Sequence, residues 1–168
     1  MSRTLVVYFS RTGHTKLAAE RIAGAMKADV DAITGDTYRG GVFGYLRCAY
    51  EARYETDAAI ELPHFDSADF DLVIVGTPVW DSAVSSPVRS YLRCEGARIK
   101  ALAVFCTEGE RGGYRALKQM SLLANKVAIG ELVLRDSELA SRTGAAKIHA
   151  FAEGLDRHGQ RWGLGRAL

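Results

Sequence analysis

No apolar run in the 168 residues approaches the roughly 18 that a membrane-spanning helix requires. Met1-Ser2-Arg3-Thr4 runs straight into the first apolar stretch, so we expect no signal peptide. Cysteine is scarce: Cys48, Cys94 and Cys106 show no C-x-x-C or other metal spacing. An odd number of thiols without a secretion signal leads us to expect a reduced, cytoplasmic protein. His14, His64, His149 and His158 are scattered and suggest no metal site. Charge of one sign is also lacking. With 22 Lys and Arg against 20 Asp and Glu, the net charge is +2 and the isoelectric point about 8.5, too weak and mixed for a nucleic-acid footprint. There is no internal repeat and no low-complexity segment. An apolar fraction of 48% and a mean hydropathy of −0.06 are those of a water-soluble globular chain, long enough for one domain with a real core.

Three ways of binding phosphate are excluded by missing residues. No glycine is followed four residues later by Gly-Lys-Ser/Thr, so there is no P-loop, and no Gly-x-Gly-x-x-Gly turn exists for a dinucleotide. The first turn has no cysteine, as a low-molecular-weight tyrosine phosphatase would need. What is present is an apolar run, Leu5 to Phe9, ending at Ser10-Arg11-Thr12-Gly13-His14-Thr15, after which a helical pattern begins. The first N–H groups of a helix lack partners within it, and the helix dipole favours a nearby anion by ~0.3–1 kcal/mol. Ser10, Thr12 and Thr15 add hydroxyls, Gly13 permits the turn, and His14 offers its backbone N–H. Phosphate is the natural ligand.

Strands and helices alternate along the chain. We expect strands at Leu5–Phe9, Val30–Thr34, Asp71–Gly76, Ala101–Cys106 and Val127–Leu134. The uninterrupted apolar run of the third marks a strand covered on both faces. The first helix should bury Ala18, Ile22, Ala25 and Met26. A second is expected over Val42–Tyr54. A third should open at Ser86-Pro87, where proline suits a first turn, and turn Val88, Tyr91 and Leu92 inward. Tyr114–Asn125 and Ala145–Leu155 complete the set. From Gly159 to residue 168, three glycines with Arg161, Trp162 and Arg166 read as an extended tail. Such alternation predicts a parallel sheet covered by helices, whose ligands gather at the carboxyl ends of the strands.

Two further segments occupy those ends. Gly76-Thr77-Pro78-Val79-Trp80-Asp81-Ser82 follows the third strand; Pro78 stiffens it and Trp80 offers a rigid π-face to an aromatic ligand. Thr107-Glu108-Gly109-Glu110-Arg111-Gly112-Gly113-Tyr114 follows the fourth, and its three glycines let backbone approach a ring closely. Tyr114 is expected to lie too far into the next helix to stack. Cys48 and Cys94 read as buried helix fillers, and nothing marks Cys106 as an activated thiolate. The aromatic and arginine-rich stretch from Tyr38 to Arg53 reads as an amphipathic covering helix with solvated arginines; the alternative is a segment that overhangs a cofactor and forms a substrate or partner surface.

Ser10-Arg11-Thr12-Gly13-His14-Thr15 resembles the FMN-phosphate loop of flavodoxins, Ser/Thr-x-Thr-Gly-x-Thr, and Thr77-Pro78-Val79-Trp80 resembles their Thr-Pro-x-Trp/Tyr flavin loop. The resemblance covers nearly the whole chain. With no long insertion between Val127 and Leu134, the short-chain form is the better match. It implies a flavodoxin-like three-layer α/β sandwich of one domain over residues 1–168, with a five-stranded parallel sheet of order 2-1-3-4-5. It implies one FMN, contacted by Ser10, Arg11, Thr12, Gly13, His14, Thr15, Thr77, Pro78, Val79, Trp80, Asp81, Thr107, Glu108, Gly109, Gly112 and Tyr114, with no catalytic side chain. Glu108 and Glu110 would disfavour a reduced, anionic flavin and Arg111 would favour it. The implied activity is electron transfer with a redox partner protein or a small-molecule donor or acceptor. The alternative is a small FMN-dependent NAD(P)H, quinone or porphyrinogen oxidoreductase. Flavodoxins are usually strongly acidic and dock on basic reductases. The slight basicity here departs from that pattern and implies different partners.

Overall fold

The computed structural model describes residues 3–34, 60 and 64–161. β1 (Thr4–Tyr8) is followed by α1 (His14–Met26), β2 (Asp29–Ala32), β3 (Leu72–Trp80), β4 (Ala83–Val84), α2 (Ser86–Glu95), β5 (Leu102–Glu108), α3 (Gly113–Leu123), β6 (Glu131–Arg135) and α4 (Arg142–Arg161). Five strands form a parallel sheet in the order β2-β1-β3-β5-β6, and β4 pairs antiparallel with the far end of β3. With β4 set aside, the second parallel strand lies beside the first, then come the third, fourth and fifth, as expected. The expected helix over 42–54 lies outside the described residues, as does Cys48.

Alternation along the strands feeds two cores. Leu5, Val7, Phe9, Val73, Val75, Val104 and Cys106 face α2 and α3, which contribute Val88, Tyr91, Leu92, Leu117 and Met120. Val6, Tyr8, Ile74, Ala103 and Phe105 face α1 and α4, which contribute Ala18, Ile22, Ile148, Phe151 and Leu155. The central strands are apolar on both faces because helices cover both. The sheet closes tightly: a Cβ on Gly76 would lie 2.0 Å from Phe105 Cζ. On the edge strand β2, buried Asp31 accepts from the Phe65 N–H at 3.1 Å and lies 3.0 Å from His64 Nδ1, tying β2 to the approach of β3.

Several expected boundaries move. β3 runs four residues past Gly76, because Val79 and Trp80 pair with Val84 and Ala83. The last strand starts at Glu131, not Val127, which is 89% exposed. Its ladder with β5 opens only at Val104 opposite Glu131. Ala25 is exposed rather than buried, since the inward face of α1 runs through Ala18, Ala19, Ile22 and Ala23. Cys94 is exposed, not a buried filler. The final helix extends to Arg161, so Gly159, Gln160 and Arg161 are helical where a tail was expected.

Candidate functional site

The turn from β1 into α1 is shaped by Ser10 and Gly13. Ser10 Oγ accepts from the Gly13 N–H at 3.1 Å. Gly13 takes φ 96° as the cap of α1, a conformation that costs other residues about 1–2 kcal/mol. Its carbonyl accepts the Leu17 N–H at 2.9 Å. No heavy atom lies within 4 Å of where a Gly13 Cβ would stand, so the need for glycine is conformational. Space is open beside the helix start, where the first N–H groups have no partner within the helix. Thr12 and His14 are exposed, Ser10 and Arg11 half-buried. His14 Nδ1 lies 3.1 Å from Asp136 Oδ2, just past β6. Thr15 is buried, its hydroxyl 2.8 Å from that of Thr107.

The segment after Gly76 is a hairpin rather than a loose loop. Asp81 and Ser82 form its two-residue tip, with φ 46° and 61°. Both φ values are positive, as a type I′ turn demands, and that geometry matches the twist of the flanking strands. Pro78 pairs with Thr107 of β5 and lies beyond Gly76, the last residue paired with β1. Thr77 is buried. Its Oγ1 lies 2.9 Å from the Pro78 carbonyl and 3.0 Å from Ser85 Oγ, and accepts from the Ser85 N–H at 3.1 Å. Thr77 thereby fixes the start of α2. Trp80 is half-buried, edge-on to Phe9 with centroids 5.6 Å apart.

The third segment starts inside β5. Thr107 and Glu108 are its last two residues, both buried. Glu108 Oε2 accepts from the Gly113 N–H at 2.7 Å, so its carboxylate anchors the start of α3, where negative charge suits the helix dipole. Gly112 caps that helix at φ 105°, and a Cβ there would lie 2.7 Å from Ser82 Cα. Gly109 and Glu110 are exposed. Tyr114 lies one residue into α3 and is 78% exposed.

Three contacts thus join the ends of β1, β3 and β5: Thr15 with Thr107, Phe9 with Trp80, and Gly112 with Ser82. The result is one rim carrying hydroxyls, open backbone N–H groups and a tryptophan. Cys106 is fully buried below it. Burial, then the charge of Glu108, pushes its thiol far above the ordinary value, so it is held as a protonated thiol. Among the described residues, no group of His, Cys, Asp and Glu could hold a metal ion.

Sequence reasoning missed two contributors. Ser85, fully buried, receives the Thr77 interactions. Arg89 of α2 is wholly buried and donates from Nη2 to the Val84 carbonyl at 3.1 Å, tying the helix to the hairpin. Arginine one residue after inward-facing Val88 was the available signal, but an arginine on a helix ordinarily reads as surface.

The fold is similar to those of several solved structures. An FMN complex of a flavoprotein from Lactobacillus acidophilus superposes with a TM-score of 0.68 at 21% identity, covering 85% of this chain and 99% of that one. Oxidised Flavodoxin 2 from Bacillus cereus gives 0.63 at 14% identity over 94% and 99%. A flavodoxin, WrbA-like protein from Agrobacterium tumefaciens gives 0.54 at 20% over 92% and 99%. No curated protein matches the chain. The flavodoxin family model matches residues 3–143, and with that span the chain belongs to the flavodoxin family of FMN-binding proteins.

Proposed function

We propose that the chain holds one FMN on the rim described above and works as a single-domain electron carrier. The observation that carries this reading is the convergence of an open, hydroxyl-lined helix start and a half-buried tryptophan on one rim. The donor set fits a phosphomonoester. Thr12, the hydroxyl of Thr15 and the first N–H groups of α1 would hold the phosphate, with Ser10 and Gly13 setting the turn. A hydroxyl both donates and accepts, so Thr15 retains one hydrogen-bonding role beyond its contact with Thr107. Trp80 would lie along the isoalloxazine. The backbone of Thr77–Asp81 and of Thr107–Gly112 would flank it, and Tyr114 would stand at the outer margin.

Bound flavin supplies the one- and two-electron chemistry. The chain's own residues bind it, orient it and limit water. The buried Glu108 carboxylate lies beside the flanking backbone, where negative charge opposes added electron density. Cys106, protonated and enclosed, takes no part. The lack of a dinucleotide turn favours a carrier over an enzyme with its own nicotinamide site. Steady-state assays of the purified yellow protein with NADH, NADPH and quinones test this. A carrier turns over slowly with all of them and rapidly only with a protein partner. Rapid turnover with a pyridine nucleotide and a quinone, or oxidation of a porphyrinogen, identifies the small FMN-dependent oxidoreductase instead.

A further inference from the structure

We propose that the outer face of α3 docks an acidic redox protein. This rests on the redox reading of the neighbouring rim. The stretch 111–130 contains Arg111, Arg115, Lys118 and Lys126 and no Asp or Glu. Elsewhere the surface pairs many of its charges: Arg3 with Asp29, Lys16 with Glu20, Arg98 with Asp66, Lys100 with Asp71 and Lys147 with Glu138. Among the described residues, none of the four α3-side cations stands in an ion pair.

Helical spacing puts Arg115 and Lys118 on the outer side of α3, with Arg111 just before the helix and Lys126 just after it. Ala116, Leu117 and Met120 turn inward. Tyr114, Lys118 and Leu122, four residues apart, point outward, and Arg115 lies beside them. Two large apolar side chains share that side of the helix, Tyr114 at 78% and Leu122 at 74% exposed, and Val127, 89% exposed, follows in the chain beyond the helix end. Exposed aromatic and aliphatic anchors mixed with arginine are the composition of an interface rather than of a solvated helix. The stripe begins at the Gly112 turn of the rim and runs down the helix for about 16 Å, from eleven residues at 1.5 Å each. That is enough for the small contact typical of transient redox encounters, below about 1,200 Å². A positive face of this kind attracts a negative partner surface and speeds encounter. Three exposed acids border the stripe: Glu110 beside Arg111, Asp81 at the hairpin tip next to Ser82, and Glu131 at the start of β6. The flavodoxins that dock on basic reductases do so with acidic surfaces, so this polarity is the reverse.

The test uses FMN-loaded protein and a reduced, acidic [2Fe–2S] ferredoxin as probe, mixed in a stopped-flow instrument. Each encounter moves one electron from the iron–sulfur centre, which is oxidised, to the flavin, which is reduced; two encounters complete the reduction, with protons taken from water. The wild-type rate should fall as ionic strength rises from about 20 to about 150 mM, because screening shortens the reach of the field. R115E/K118E should lower the low-salt rate by about tenfold or more and flatten the salt dependence, while reduction by dithionite stays unchanged. A rate independent of salt, or equal in the variant, overturns the proposal. So does binding to phosphatidylglycerol vesicles that R115E/K118E abolishes without changing the ferredoxin rate, which would assign the face to a membrane. A protein that takes up no flavin overturns the redox reading instead. Chemical-shift mapping with the same ferredoxin then decides docking alone: shifts at 114–127 support it, and their absence overturns it.

Discussion

The Thr15 hydroxyl at the start of α1 lies 2.8 Å from the hydroxyl of Thr107, 92 residues further along, at the end of β5. Both are buried. One bond thus joins the turn proposed to hold phosphate to the strand end proposed to flank the ring. Thr107→Val, close in shape, leaves the Thr15 hydroxyl buried without this partner, at a cost of about 1–3 kcal/mol. Urea unfolding of the apoprotein should show that loss. The double variant Thr15→Val/Thr107→Val should be less unstable than the sum of the singles by about 0.5 kcal/mol or more. Strict additivity would mean that the pair does not interact.

Glu108 anchors α3 through the Gly113 N–H at 2.7 Å. Hydrogen bonds to charged groups contribute about 1.5–3 kcal/mol. Glu108→Ala should therefore destabilise the protein by roughly that amount, and Glu108→Gln, which keeps an acceptor, by less. Denaturation midpoints compared at constant m-value measure both. Equal losses would mean that packing, not hydrogen bonding, decides this position.

Ser82 adopts φ 61° at the hairpin tip, against the Gly112 backbone. Ser82→Gly should relieve the left-handed cost and stabilise the protein by on the order of 1 kcal/mol, after the greater freedom of glycine in the unfolded chain is subtracted. Gly112→Ala should do the opposite, since its Cβ would stand 2.7 Å from Ser82 Cα and its φ is 105°. Thermal melts of the two variants should move in opposite directions.

The Cys106 thiol carries a testable pH dependence. Burial raises its pKa in the folded state above the ordinary 9.0. Above that ordinary value the unfolded chain loses a proton that the folded chain keeps, so stability falls as pH rises toward the folded value. The slope from this group approaches about 1.4 kcal/mol per pH unit. Below the ordinary value its contribution is constant. Cys106→Ala should be less stable at neutral pH but show a shallower decline in alkali. In native protein, iodoacetamide should modify exposed Cys94 and spare Cys106, as peptide mass spectrometry would read.

Much of this architecture is legible in the chain because local and global signals agree. Val73–Val75 needed no tertiary information to read as a buried strand, nor did Ser10–Thr15 to read as a turn from strand into helix. What stayed hidden depends on distant partners. Pro78 argued for a loop, yet Val79 and Trp80 continue the strand because Ala83 and Val84 fold back on them. That Glu108 also anchors the start of α3 through the Gly113 N–H was not visible in the sequence. Ala25 matched the helical period, but α1 turns its face through Ala23 instead. Arg89 read as surface because of its charge, although it lies inside the core and donates to the Val84 carbonyl.

The most direct measurement of the central claim is calorimetric titration of flavin-free protein with FMN, riboflavin and FAD, in wild type and in Thr12→Ala. The expected result is one FMN per chain, much weaker riboflavin and FAD, and a loss of about 1.5–3 kcal/mol in FMN affinity when the Thr12 hydroxyl is removed. Riboflavin affinity should be untouched by Thr12→Ala, because riboflavin carries no phosphate. Uptake of FAD in place of FMN, or riboflavin bound as tightly as FMN, would contradict a phosphate site at the start of α1.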